Sequence, residues 1–327
     1  MSILRTSEKA AVADKTPARR RTTRQRITYA LRRNSLLYLL LLPGLVELVL
    51  FKWCPLLGLI IAFQDYSPFR GLFHSDWVGI AQFHKFLHDP NIPHLLKNTV
   101  LLASFNVLFT FSIPIVFALF LNEVRNRYLR KTVQTVTFLP YFVSSAVIVS
   151  ILYTLVSPQG GLINQILNKF GIHSIFFLAD PGWFRPLYVT VSVWQTLGYS
   201  TVIYLAAMTA IDPALYEAAD IDGSGRWRKM RHITIPSISN MIIVVFILNM
   251  GGMLTVDVEK VLLMYSPSVY STADVIQTYV YRQAFAPEGF PNYSYAAAVG
   301  IVQSVIALIL VFSANRIARR FSDSRVF

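Results

Sequence analysis

Cysteine is almost missing from this chain. Its one cysteine, Cys54, lies inside an apolar run, which excludes an intrachain disulfide framework and any paired Cys/His zinc spacing. Charge is scarce too: 14% of the residues are Asp, Glu, Lys or Arg, against about 25% in an ordinary soluble domain. No glycine is followed by lysine, so the phosphate-cradling loop Gly-x-x-x-x-Gly-Lys-Ser/Thr is absent and the chain is not expected to hydrolyse ATP. The six histidines (His74, His84, His88, His94, His173, His232) show no metal-ligand pairing with supporting carboxylates. His84 and His88 are four apart, between apolar runs, and read as a surface pair. No catalytic residue and no metal ligand is expected. The inverted repeats common in secondary transporters are not evident, which leaves an ion-coupled transporter, or a membrane-embedded enzyme, as the weaker alternative.

What the chain holds in plenty is apolar sequence in long blocks, 54% of its residues. Six segments approach the roughly 20 residues a membrane helix needs. They run from about Ser35 to Phe63, Asn98 to Leu121, Thr132 to Val156, Pro186 to Ala210, Ile238 to Val256 and Tyr295 to Ile317. The runs are continuous rather than alternating, so helices are expected, not a barrel. The expected fold is therefore an all-α polytopic membrane protein with six transmembrane helices. Pro43, Pro55, Pro114 and Pro140 fall inside these spans, and kinks are expected there.

Basic residues set the orientation. Residues 1–34 carry ten Lys/Arg and few apolar residues, and are expected to be a disordered cytoplasmic tail. The apolar stretch that follows is about twice the length of a signal-peptide core, so a cleaved signal is not expected. With the N-terminus inside, the inner segments add Arg125, Arg127, Arg130 and Lys131; then Arg226, Arg228, Lys229 and Arg231; then Arg316, Arg319, Arg320 and Arg325. The outer loops hold only Arg70, Lys85, Lys97, Lys169, Arg185 and Arg282. Twenty-two inside against six outside places both termini in the cytoplasm. This asymmetry also accounts for the net charge of +13 without a nucleic-acid partner. Residues 35–320 form the expected membrane domain and 321–327 a short cytoplasmic tail.

Between the fourth and fifth spans lies a loop from Asp212 to Pro236. Asp212 can cap a helix and Pro213 suits its first turn. Leu215, Glu217, Ala218 and Ala219 favour helix, and Gly223 or Gly225 can end it. The segment resembles the Glu-Ala-Ala loop of the permeases of binding-protein-dependent ABC importers. That pattern is Glu-Ala-Ala, three residues, Gly, nine residues, Ile, one residue, an aliphatic, then Pro. It is met here by Glu217-Ala218-Ala219, Gly223, Ile233, Ile235 and Pro236, with Ile235 where Leu is usual. Asp76-Trp77-Val78-Gly79-Ile80-Ala81-Gln82-Phe83, Asn98-Thr99 and Gly161-Leu162-Ile163-Asn164 are similar to further elements of the family. Asp274 to Arg282 and Tyr293 to Gly300 resemble its complex-oligosaccharide and polysaccharide branch, which includes the lipoprotein-type permeases and the alginate importer's subunits.

The resemblance implies a type I ABC importer permease in the bacterial cytoplasmic (inner) membrane. It implies a second permease subunit of different sequence, an ATPase dimer that carries ATP and magnesium, and a periplasmic or extracellular solute-binding protein; no cofactor is held by this chain. It implies that Glu217, Ala218, Ala219, Gly223 and Pro236 couple the chain to the ATPases. Polar side chains inside spans face a bundle or a cavity. Three i, i+4 pairs are candidates for a sugar pathway: Tyr141 with Ser145, Gln195 with Tyr199, and Asn249 with Met253, with Gln303 a further candidate. Helix-to-helix hydrogen bonding is the competing role. Glu47 and Lys52 could pair within the first span, and Asp257, Glu259 and Lys260 are expected at the outer mouth. Tyr265, Tyr270, Tyr279, Tyr281, Phe285 and Phe290 read as an aromatic interface belt.

Overall fold

The structure is a computed structural model that describes residues 35–252, 256–285 and 290–318. The expected tails 1–34 and 321–327 and the candidate Met253 lie outside the described residues. The chain divides into two compact units, Met1–Gly58 and Leu59–Phe327. The described part of the first is a helical run: α1 (Ser35–Leu48), a π-turn over Val49–Trp53 and a short helix Cys54–Leu57. The expected partners Glu47 and Lys52 form no ion pair; both are exposed.

Among the described residues the second unit's regular structure is helical apart from one small ladder, in which β1 (Gln64–Asp65) pairs antiparallel with β2 (Asp76–Trp77). Its principal helices are α2 (Ile92–Asn122), α3 (Arg127–Phe138), α4 (Ser145–Val156), α5 (Pro181–Thr209) and α6 (Pro213–Ile221). These are followed by α7 (Ile235–Gly251), α8 (Val258–Met264), α9 (Ile276–Phe285) and α10 (Tyr293–Ala318). α5 packs along α2, and α7 packs against α10.

Among the described residues, four helical stretches are long and apolar enough to cross a membrane: Ser35–Phe63, Ile92–Asn122, Arg226–Gly251 and Tyr293–Ser313. Two bent pairs bring the number to six if each counts as one span: Arg127–Phe142 with Ser145–Val156, bent by 107°, and Pro181–Thr209 with Pro213–Ile221, bent by 72°. The outer surface carries bare apolar side chains such as Leu108, Leu248, Leu308 and Phe312, which is tolerable in lipid and not in water.

Two expectations need correction. The third span is not one helix. Pro140 has no N–H to continue the ladder, so Leu139–Phe142 tightens into a 3-10 turn and Val143 is extended. The Ser144 hydroxyl then accepts the Val147 N–H and starts a new helix. Tyr141 and Ser145 therefore do not share a helix face. The fifth span begins before Pro236, not after it. Arg226–Lys229 is already helical, and a π-turn over Met230–Thr234 leads straight into α7. The Ile235 N–H bonds the Met230 carbonyl, five residues back. The same device precedes Pro55, where the Cys54 N–H bonds the Val49 carbonyl. In both places a widened turn lets the helix run through a proline instead of breaking.

Three buried clusters hold the second unit together. One joins Leu102, Ile148, Tyr188 and Val189 to the stretch from Val256 to Val275. At the other end of α2 and α5, Ala118, Leu121, Tyr204, Met208 and Met230 form the second. The third joins Phe86, Leu95, Ile276, Tyr295 and Val299.

Candidate functional site

α6 is built as its sequence suggests. Asp212 caps it by accepting the Ala214 N–H at 2.9 Å, and Pro213 occupies the first turn. Gly223 ends it at φ +67°, a left-handed backbone that a side chain would strain. The Ser224 N–H closes the end on the Ala219 carbonyl at 2.8 Å, and Lys229 pairs with Asp220 across the turn. Tyr216 meets Thr234 at 2.9 Å and ties the helix back to the π-turn. None of the nine residues of α6 is buried. Glu217 and Ala218 are exposed, Ala219 is half-buried, and Leu215 and Ile221 are exposed at 49% and 88%. α6 thus offers an apolar face beside the Glu217 carboxylate that the described residues leave largely uncovered. Pro236, expected beside it, lies inside the Arg226–Gly251 helix.

A second group gathers at the α3–α4 break. Tyr141 and Tyr199 stack face to face at 4.3 Å and 6°, with Phe138 alongside both. The Gln195 amide donates to the Val143 carbonyl at 3.1 Å, and so satisfies backbone freed by the break. Ser145 donates to the Asp257 carboxylate at 3.1 Å. The close approach is made by Gly198: a Cβ there would stand 2.3 Å from the Thr137 carbonyl oxygen. The structure brings together Tyr141, Ser145, Gln195 and Tyr199, by a route that spacing alone did not give. Asn249 lies elsewhere. It bonds the Val245 carbonyl of its own helix and lines a cavity of about 280 Å³ with Ala103, Asn106, Val107 and Thr110 of α2. Asn106 Oδ1 is buried there without a partner among the described residues.

Several residues named from sequence make contacts that the sequence did not indicate. Lys260, expected at the outer mouth, is buried. Its ammonium lies 3.4 Å from Asp257, 3.3 Å from the Ser192 hydroxyl and over the Tyr188 ring. Burial pushes this ammonium down from its ordinary value, and the Asp257 charge partly opposes that. The aromatic belt also needs revision. Tyr265, Tyr270 and Tyr279 surround Arg282, which pairs with Asp274 at 2.7 Å; Tyr281, Phe285 and Phe290 are exposed. Asn98 and Asn164, noticed only through the family pattern, are structural clamps. Asn98 reaches the Ser271 and Asp274 carbonyls and accepts from Arg185. Asn164 joins Val156, Ser157 and Ile175.

Residues 114–323 match the family described as the inner membrane component of binding-protein-dependent transport systems. The polygalacturonan/rhamnogalacturonan transport system permease protein of Bacillus subtilis (strain 168) is 42% identical over 324 residues, 99% of this chain and 100% of its own length. Protein LplB of the same organism is 43% identical over 298 residues, covering 91% of this chain and 93% of its own. A chain in the crystal structure of a bacterial alginate ABC transporter, solved with a pentasaccharide-bound periplasmic protein, superposes with a TM-score of 0.83. It is 36% identical and covers 92% of this chain and 100% of that chain. The architecture is that of a type I ABC importer permease, a multi-pass inner-membrane component that translocates rather than catalyses. In sequence and in fold, the chain belongs to the family of inner membrane components of binding-protein-dependent transport systems.

Proposed function

We propose that this chain is the permease subunit of an ATP-driven importer, and that it moves an oligosaccharide delivered by an extracytoplasmic binding protein. The observation that carries the reading is α6, a capped helix that the described residues leave largely uncovered, with an exposed carboxylate. Glu217 would meet an ATPase subunit while Ala218 and Ala219 permit close approach. Gly223 would set the exit turn, and the run through Pro236 would carry movement into the membrane. ATP and magnesium would reside on the ATPase dimer, and a second permease subunit would complete the pathway. Both termini and α6 face the cytoplasm in this reading, with residues 35–320 as the permease domain and 212–236 as its coupling loop. ATP-driven closure of the ATPases would shift the population between inward- and outward-facing states.

The oligosaccharide assignment draws on the cargo named for the relatives, polygalacturonan/rhamnogalacturonan and alginate, and on the chemistry at the α3–α4 break. Stacked Tyr141 and Tyr199, exposed at 40% and 43%, offer the flat faces on which sugar rings stack, with Ser145 and Gln195 beside them. Asn249 would contribute from α7, and Met253, four residues further on in sequence, is the remaining candidate. The test is ATPase activity of the complete reconstituted complex with binding protein and candidate oligosaccharides. Wild type is expected to be stimulated by one of them. Glu217→Lys is expected to lose stimulation and shed the ATPase in detergent while still reaching the membrane. Normal uptake by Glu217→Lys would overturn the coupling role.

A further inference from the structure

The basic segment after α2 forms a site. Arg125, Arg127, Arg130 and Lys131 converge on one cavity of about 470 Å³, completed by Val124 and Gln134. No carboxylate lines it. Among the described residues none of these four cations is in an ion pair, whereas Lys229, in the other basic segment, is held by Asp220. Glu123, the nearest acid in sequence, does not line the cavity. Four like charges around one space repel unless an anion enters it.

The backbone does not supply that anion's partners. Asn126 Oδ1 already accepts the N–H groups of Tyr128 and Leu129, at 2.9 and 3.1 Å, so the side chains are what the cavity offers. Guanidinium groups suit the oxygen pairs of a phosphate. Depth also matters. The cavity lies just past the end of the span Ile92–Asn122 and at the start of Arg127–Phe142, the level at which a span meets headgroups. Tyr128 and Leu129, exposed at 84% and 53%, add the aromatic and apolar anchors found at that level. Val124 and Val133 pack on the cluster that holds Met208 and Met230, so the cavity opens at the same end of the bundle as α6.

We propose that this cavity binds the phosphodiester headgroup of an anionic phospholipid in the leaflet on the α6 side, its acyl chains running past Leu129. The leaflet rests on the orientation proposed above; the lipid site rests on the cavity.

The test uses the complete transporter purified from mixed phosphatidylglycerol and phosphatidylcholine, with retained lipid read by native mass spectrometry. Each Lys or Arg near an anionic surface changes affinity about fivefold. Arg127→Gln with Arg130→Gln should therefore lower phosphatidylglycerol retention about 25-fold and leave phosphatidylcholine unchanged; Arg127→Lys with Arg130→Lys should keep most of it. Equal retention of both lipids by wild type would overturn the proposal. So would unchanged retention in the Gln variant, or displacement of the lipid by millimolar inorganic phosphate, which would mark a free-anion site. Cross-linking of Arg130→Cys to the second permease would assign the cavity to a subunit contact instead. If the Gln variant fails to assemble, the two-lipid comparison on wild type still decides. Accessibility labelling of Arg228→Cys and Lys169→Cys reads orientation separately. Outside labelling of Arg228→Cys would refute the leaflet while leaving a lipid preference intact.

Discussion

Replacing Gly198 by alanine should separate α5 from the helix it touches. The added Cβ would stand 2.3 Å from the Thr137 oxygen and 2.5 Å from the Phe138 nitrogen and Cα. Ordinary carbon contacts begin near ~3.5 Å, so the helices must part by about 1 Å. All three obstructing atoms are backbone and cannot swing aside. Overpacking of this kind costs about 1–3 kcal/mol. The neighbouring Tyr141–Tyr199 stack should loosen as well, at a further cost of about 0.5–1.5 kcal/mol. Two other glycines serve as controls. Gly225 has φ −69° and open space around it, so Gly225→Ala should stay within about 0.5 kcal/mol of wild type. Gly223 also has open space, but φ +67°, so Gly223→Ala should suffer strain alone, about 1–2 kcal/mol, at the exposed end of α6. Thermal unfolding of the purified complex, followed by size-exclusion chromatography, gives the order. Gly198→Ala should melt lowest, and Gly223→Ala should lose coupling more than melting temperature. A Gly198→Ala complex that melts with wild type would refute the close-approach argument.

Tyr199→Ala removes one face of the stack and should cut sugar-stimulated ATPase several-fold, as befits a loss of about 1 kcal/mol; a lower melting temperature with unchanged stimulation per folded complex would return the tyrosines to packing. Asp274 gives a pH signature. Burial pushes its carboxyl up, but hydrogen bonds from Arg282, Thr278 and Tyr265 outweigh this and hold it below 3.8. A depressed carboxylate contributes stability that is fully present above the unfolded value and is lost as pH falls through the folded one. The melting temperature contribution of Asp274 should therefore hold from neutral pH down to about 4 and fall below that. Asp274→Asn should melt lower at pH 7 and lack that acid step; identical acid profiles for the two proteins would refute it.

The membrane architecture was legible because lipid leaves the sequence few options. Long apolar blocks act locally, residue by residue. α6 was legible for the same reason, since the Asp212 cap and the Gly223 turn are short-range signals. The break at Pro140 was harder to read. Proline is common inside these helices, and Pro43 and Pro114 are passed without interruption; only the cap at Ser144 and the support from Gln195 make Pro140 an end. Contacts between distant residues were out of reach. Lys260 with Ser192, Arg282 with its three tyrosines, and Asn106 facing Asn249 depend on how helices meet, which one-dimensional spacing does not encode.

The π-turn before Pro236 also sets direction. An α-helix advances about 100° per residue, so the one residue absorbed by the widened turn rotates everything beyond it by that angle. Asn249 faces α2 only because of this offset; an unbroken α-helix from Arg226 would aim it about 100° away. The rod runs as one helical stretch of 26 residues, Arg226–Gly251. A rotation imposed at the α6 end would therefore arrive at the Asn249 cavity as a rotation, and the phase of one turn decides which side chains it sweeps across the path.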